Sequence, residues 1–235
     1  MKARAPDIPK PIGIAALVAL LAGCSPEPVE SPFSRSGEMI ALSGGDAGAG
    51  GACFTCHGRE GEGDGNLVPR LAGLDSGYLA RQLELFATGQ RHDPQMYAIA
   101  KRLSGEDRLR AARYYAALPW PSEGGEAVAA RASCGPTSAR LLYFEGDASR
   151  GLVACAACHG EDGAGRGPGN PPLAGQPAPY IAEQLRKWRS GERYGDPGHV
   201  MHDVALELSA REVRDLAALA PAPASRNLES PAICP

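Results

Sequence analysis

The chain has 235 residues, more than a single domain usually holds, so it reads as one large domain or two small ones. Its 30 glycines, 21 prolines and 6% aromatic residues leave thin cores, and units of this make-up gain from something further to pack against. Acids outnumber bases by 27 to 24, so no basic patch stands out and nucleic acid is excluded as a partner.

Lys2, Arg4 and Lys10 precede an apolar run of 11 residues, Ile12 to Ala22, too short to span a bilayer as a permanent helix and suited to a secretory signal. The run ends in Leu21-Ala22-Gly23-Cys24, which resembles the lipobox of bacterial lipoproteins, in which the cysteine sulfur is acylated and becomes the mature N-terminus. Residues 1–23 are therefore expected to be a signal peptide and Cys24 a lipidation site. Ser25 follows the cysteine, which in that resemblance favours the inner leaflet of the outer membrane, with the protein on the periplasmic face of the cell envelope. Removing residues 1–23 leaves 21 bases against 26 acids, a net of −5. Residues 24–36, rich in proline and serine, read as an extended tether.

Beyond the tether the chain repeats itself. Cys53, Cys56, His57 and Gly58 recur 102 residues later as Cys155, Cys158, His159 and Gly160, and Pro69, Leu71, Ala72 and Gly73 recur at that offset as Pro171, Leu173, Ala174 and Gly175. The register continues through Tyr78/Tyr180, Gln82/Gln184 and Arg91/Arg193, then resumes after a three-residue insertion with Met96/Met201 and Ser104/Ser209. This is a tandem duplication of units at 37–119 and 139–220, joined by a linker at 120–138 and followed by a tail at 221–235.

Each unit shows helical periodicity and no alternating strand pattern, so the fold class is all-α, with helices around a central body. Tyr78, Leu79, Gln82, Leu83 and Phe86 form a stripe that ends where Gly89 suits a helix C-cap. Ser104 with Asp107, and Ser209 with Glu212, mark helix starts, the second a capping box. Leu109, Ala112 and Tyr115, and Val213, Leu216 and Leu219, supply buried faces. The segments "GREGEGDGN" and "GEDGAGRGPGN" read as polar loops.

The repeated C-x-x-C-H string identifies the central body. Its two thiols can add to the two vinyl groups of a haem, which places the adjacent histidine against the iron. Two C-x-x-C pairs could instead share a zinc ion, or each could form a redox disulfide, but neither explains a histidine at the same place twice. Two covalently bound haem c groups are thus expected, held by Cys53 and Cys56 and by Cys155 and Cys158, with His57 and His159 as iron ligands. Met96 and Met201 lie 39 and 42 residues after their histidines in loop-like segments, "RHDPQMYAIA" and "YGDPGHVMHDVA", and are the candidates for the opposite iron face. His199 and His202 flank Met201 and could replace it, while His92 reads as a surface residue.

With "CFTCHG" and "CAACHG", the P-x-L-A-G segments, "MYAIAKRLS" and "MHDVALELS", the chain resembles the diheme cytochromes c of the cytochrome c4 type, two class I cytochrome c folds in tandem. The resemblance spans roughly residues 37–220. It implies that the carbonyls of Pro69 and Pro171 accept a hydrogen bond from the proximal histidines, and that the haem propionate edges approach each other. The lipid anchor, the tether, the tail and two further cysteines depart from it. Those cysteines, Cys134 and Cys234, either join each other, closing a loop of 100 residues worth about 4 to 5 kcal/mol, or stay separate or pair between molecules.

Two Met/His haems leave no open iron position. The expected function is a non-enzymatic, lipid-anchored carrier taking electrons from a quinol-oxidising complex or dehydrogenase and passing them to a terminal oxidase. The alternatives are a cytochrome subunit of a larger dehydrogenase, or a diheme oxidoreductase of peroxidase or thiosulfate type. Charge assigns no docking face, since residues 37–119 hold nine bases and ten acids and residues 139–220 nine and eleven.

Overall fold

The computed structural model describes residues 36–119 and 136–219, Pro168 apart. Cys24, Cys134 and Cys234 lie outside the described residues, as do the signal segment and nearly all of the expected tether, linker and tail. No helix among the described residues is long and apolar enough to cross a membrane.

Five α-helices form the first half: α1 (Gly37–Ser43), α2 (Phe54–His57), α3 (Ser76–Ala87), α4 (Pro94–Ala100) and α5 (Gly105–Ala117). Short side chains start four of them, because an N-cap acceptor satisfies backbone N–H groups that have no partner within the helix. Ser36 accepts from the Met39 N–H, Asp75 from Tyr78, Asp93 from Met96 and Ser104 from Asp107. Helix α3 packs against α4 and α5, and α1 against α5. Their shared interior is small: Ala41, Leu74, Tyr78, Leu79, Ala112 and Tyr115 in one cluster, with Ile40, Ala47, Leu103 and Ala111 in another.

The second half repeats the plan with α6 (Thr137–Phe144), α7 (Cys155–His159), α8 (Ala178–Ser190), α9 (Val200–Glu207) and α10 (Ala210–Leu219). Helix α6 begins two residues ahead of the expected unit start at 139. The capping box is present in both directions, Ser209 N–H to Glu212 Oε2 at 2.8 Å and Glu212 N–H to Ser209 Oγ at 3.2 Å. Helices α9 and α10 pack on α8, and Tyr143, Phe144, Leu185, Val213, Leu216 and Leu219 lie in one continuous core.

The described residues form no β-strand, but an isolated antiparallel bridge pairs Arg91 with Arg193. Around it the halves meet in reciprocal bonds between repeat-equivalent residues. The His92 N–H donates to the Glu192 carbonyl and the Tyr194 N–H to the Gln90 carbonyl, both at 2.7 Å. Arg91 donates to Gln82 Oε1 at 2.8 Å, Gln184 Oε1 at 2.7 Å and the Tyr180 hydroxyl at 2.8 Å. Arg193 mirrors it, donating to Gln184 Oε1 at 2.9 Å, Gln82 Oε1 at 3.3 Å and the Tyr78 hydroxyl at 3.2 Å. Each guanidinium also lies over an aromatic ring of its own half, Arg91 over Phe86 at 4.4 Å and Arg193 over Trp188 at 3.7 Å. Gln82 and Gln184, which sequence places on the inward stripe of a helix, are the acceptors of a polar ring between the halves.

Candidate functional site

Two equivalent sites are built by the same backbone route. In each, a short helix carries C-x-x-C-H and ends at the histidine: α2 in the first half, with Cys53 as its N-cap, and α7 in the second. The following glycine loop folds back under the ring. The Gly63 N–H donates to the His57 carbonyl, and the Leu71 and Ala72 N–H groups donate to the Gly61 carbonyl. Gly165, Leu173 and Ala174 repeat this on the carbonyls of His159 and Gly163. Glycine is required at both loop pivots. Gly63 has φ +80° and an added Cβ would lie 2.6 Å from the Val68 carbonyl oxygen; Gly165 has φ +79° and the same atom would lie 2.5 Å from that of Asn170.

This route delivers a proline carbonyl to each histidine. His57 Nδ1 lies 2.9 Å from the Pro69 oxygen and His159 Nδ1 lies 2.8 Å from the Pro171 oxygen. A carbonyl can only accept, so each Nδ1 carries the proton and each Nε2 keeps its lone pair. Both rings are buried, and that burial lowers their pKa, holding the neutral imidazole that a metal needs.

The cysteines decide between the chemistries open to the motif. None of the four is joined to another in a disulfide. Burial pushes the Cys53 thiol up and the Cys155 thiol up to about 11, the opposite of what a redox dithiol needs to attack as thiolate. The described residues bring together no cluster of three or more His, Cys, Asp and Glu side chains suited to a metal ion, as a zinc shared between the pairs would require. Tyr115 Oη and Trp188 Nε1 are buried with no protein partner, as suits a large group with polar edges lying between the helices.

Met96 and Met201 are half-buried and differ from expectation in one respect: they sit in the first turns of α4 and α9, not in loops. The Asp-Pro pair is the sequence signal of the α4 start, with Asp93 as cap and Pro94 in the first turn, whereas α9 begins after His199, four residues beyond Asp196. The Met96 N–H donates to Asp93 Oδ1 at 3.0 Å and the Met201 N–H to Asp196 Oδ2 at 2.7 Å. His92 is exposed. His202 Nδ1 lies 2.8 Å from the Trp188 carbonyl, and its ring stacks on Tyr194 at 6.3 Å between centroids.

Sequence reasoning missed a second link between the halves. The Arg70 N–H donates to Gln176 Oε1 at 3.1 Å and Gln176 Nε2 donates back to the Arg70 carbonyl at 2.9 Å. The Arg70 guanidinium also reaches the carbonyls of Ala72 and Ala174. Arg70 follows Pro69 directly, so the segment holding His57 is fastened to the second half. Neither residue has a repeat counterpart of its own type, since Pro172 and Leu74 stand there, and comparison of the halves could not flag them.

Comparison with known proteins agrees with this geometry. Residues 148–219 match the family model described as Cytochrome c. The chain is 39% identical over 192 residues to a thiosulfate dehydrogenase electron acceptor of Stutzerimonas stutzeri, covering 78% of this chain and 84% of that one. It is 35% identical over 171 residues to the cytochrome c4 of Thiocapsa roseopersicina, covering 72% and 85%. Among solved structures it is similar to the thiosulfate dehydrogenase TsdBA of Marichromatium purpuratum, with a TM-score of 0.66 and 41% identity over 81% of this chain but only 40% of that longer one.

Proposed function

The chain belongs to the cytochrome c4 family of diheme cytochromes c and carries covalently bound haem c at its two C-x-x-C-H sites, and from that premise we propose that it is the electron acceptor of a thiosulfate-oxidising dehydrogenase. The observation that carries this reading is the likeness, along most of the chain, to a protein with that role in Stutzerimonas stutzeri and to part of the longer Marichromatium purpuratum chain. It supports a donor within the dehydrogenase class expected from sequence; a terminal oxidase remains the expected acceptor.

The bound haems supply one-electron storage. The chain's own residues fix where that electron sits. Cys53, Cys56, Cys155 and Cys158 would hold the groups covalently, and His57 and His159, oriented by Pro69 and Pro171, would ligate the irons. Met96 and Met201 would be the second iron ligands, which would raise the potential relative to bis-histidine ligation. With those ligands in place thiosulfate would have no iron position to enter, and the chain would carry electrons without oxidising the substrate itself. Acylation at Cys24 holds it at the periplasmic face of the cell envelope, in the inner leaflet of the outer membrane.

Stopped-flow reduction tests the reading. Oxidised chain mixed with thiosulfate and catalytic amounts of a thiosulfate dehydrogenase should reduce at both haems, while thiosulfate alone should leave it oxidised through many turnover times. Reduction by thiosulfate without the dehydrogenase would make the chain an enzyme. Failure to accept electrons from the dehydrogenase would return the donor to a quinol-oxidising complex.

A further inference from the structure

The two methionine segments occupy equivalent places but are held differently. In the first half, both carboxylate oxygens of Asp93 are engaged: Oδ1 accepts from the Met96 N–H at 3.0 Å and Oδ2 lies 3.6 Å from Lys187 Nζ of the second half. Lys187 also donates to the His92 carbonyl at 3.1 Å, and the His92 N–H donates to Glu192. The segment leading into Met96 is thus clasped from across the seam at three points.

Of this clasp the second half keeps the backbone bond, from the Tyr194 N–H to the Gln90 carbonyl, but not the lysine. Leu85 stands at the repeat position of Lys187 and packs where a Cβ on Gly195 would meet it at 2.3 Å. Asp196 Oδ2 accepts from the Met201 N–H, but Asp196 Oδ1 is buried with no partner. Three residues longer than its counterpart, this segment turns through left-handed backbone at Gly195 (φ +95°), Gly198 (φ +70°) and His199 (φ +57°). His199 is the one described non-glycine residue with positive φ, a conformation an L side chain disfavours.

We propose that Met201, and not Met96, is the ligand that yields, so that the second haem is the one open to a small neutral nitrogen donor such as imidazole. The inference rests on the reading that both methionines ligate iron. Opening the Met201 segment relieves the His199 strain and exposes the Asp196 oxygen to water, whereas opening the Met96 segment must break the Lys187 clasp.

The experiment is stopped-flow addition of imidazole to the oxidised diheme protein, followed by loss of the near-infrared methionine-to-iron band. Two phases of equal amplitude are expected, the faster from the second haem. His199→Gly, which keeps the left-handed turn without its strain, should slow the fast phase about threefold to tenfold and leave the slow phase unchanged. Lys187→Met should speed only the slow phase, by about threefold or more. A single phase for both haems overturns the proposal, as does a fast phase that responds to Lys187→Met and not to His199→Gly. A band intensity matching fewer than two haems before imidazole is added overturns the ligation reading, and this inference with it. Full intensity with equal rates overturns this inference alone.

Discussion

Replacing Gln184 with leucine should loosen the seam between the halves by a predictable amount. Gln184 Oε1 accepts two charge-assisted hydrogen bonds, from Arg91 at 2.7 Å and from Arg193 at 2.9 Å, and the residue is buried. Each such bond is worth about 1.5 to 3 kcal/mol. Both guanidiniums keep Gln82 and a tyrosine hydroxyl as partners, so the lower value applies to each, and leucine recovers about 1 kcal/mol by apolar burial. The net loss is about 2 kcal/mol. At about 2 to 4 °C per kcal/mol for a chain of this size, Gln184→Leu should melt about 4 to 8 °C below the parent by circular dichroism of the haem-loaded protein. Gln82→Leu should cost about a quarter as much, about 0.5 kcal/mol, because its second bond, from Arg193, is 3.3 Å long, outside the usual range. A Gln184→Leu melt within 2 °C of the parent, or a larger loss from Gln82→Leu, would refute the assignment of the ring as a structural fastening.

Met96→His and Met201→His should each lower the potential of the altered haem by about 0.1 V or more, within the about 0.8 V that axial ligands span, without loss of covalent haem, as read by potentiometric titration and denaturing mass spectrometry. If, as proposed, acyl chains on Cys24 supply the anchor, Cys24→Ser should move the chain from the membrane to the soluble fraction; unchanged retention would mean a protein tether. The hydrogen bond from Arg150, with desolvation opposing it, holds the Glu212 carboxyl down to about 2. A depressed carboxylate stabilises the fold above its unfolded pKa of about 4.3 and loses that contribution as pH falls toward 2. Solvent screening limits the pair to at most about 1 kcal/mol, so Glu212→Gln should lower the melting temperature by up to about 3 °C at pH 7, with the difference from the parent vanishing near pH 2.

What could be read in advance followed from features that repeat or act locally. The helix starts at Ser104 and Ser209 need only a side chain and a backbone three residues on, and both formed as expected. The proline carbonyls at Pro69 and Pro171 reach their histidines because both glycine loops between them close alike. Three features were harder to see. Helices α2 and α7, of four and five residues, are too short to show a period. Helix α4, at seven residues, is likewise read as a loop unless its Asp-Pro start is weighed. The role of Gln82 and Gln184 depends on a surface that exists only when two copies of the unit face each other, and periodicity along one helix cannot distinguish an inward face from a face turned toward another unit.

Reciprocal contacts also constrain where the two haems can come to differ. Arg91, Gln82 and Tyr78 in one half answer Arg193, Gln184 and Tyr180 in the other, so a change at one of these positions reaches into both halves. Differences between the sites must therefore enter at positions where the repeat has diverged. Those near the histidine and methionine segments include Arg70 against Pro172, Leu74 against Gln176, Leu85 against Lys187, and the longer turn before Met201. Arg70 and Gln176 fasten the His57 segment to the second half, and Lys187 fastens the Met96 segment there. The His57 and Met96 segments thus both take side-chain bonds from the second half, whereas the segment before Met201 is tied to the first half by the Tyr194 N–H on the Gln90 carbonyl and has one Asp196 carboxylate oxygen unpartnered. A carrier whose units arose as copies can in this way hold one haem rigidly and leave the other adjustable, without disturbing the seam that joins them.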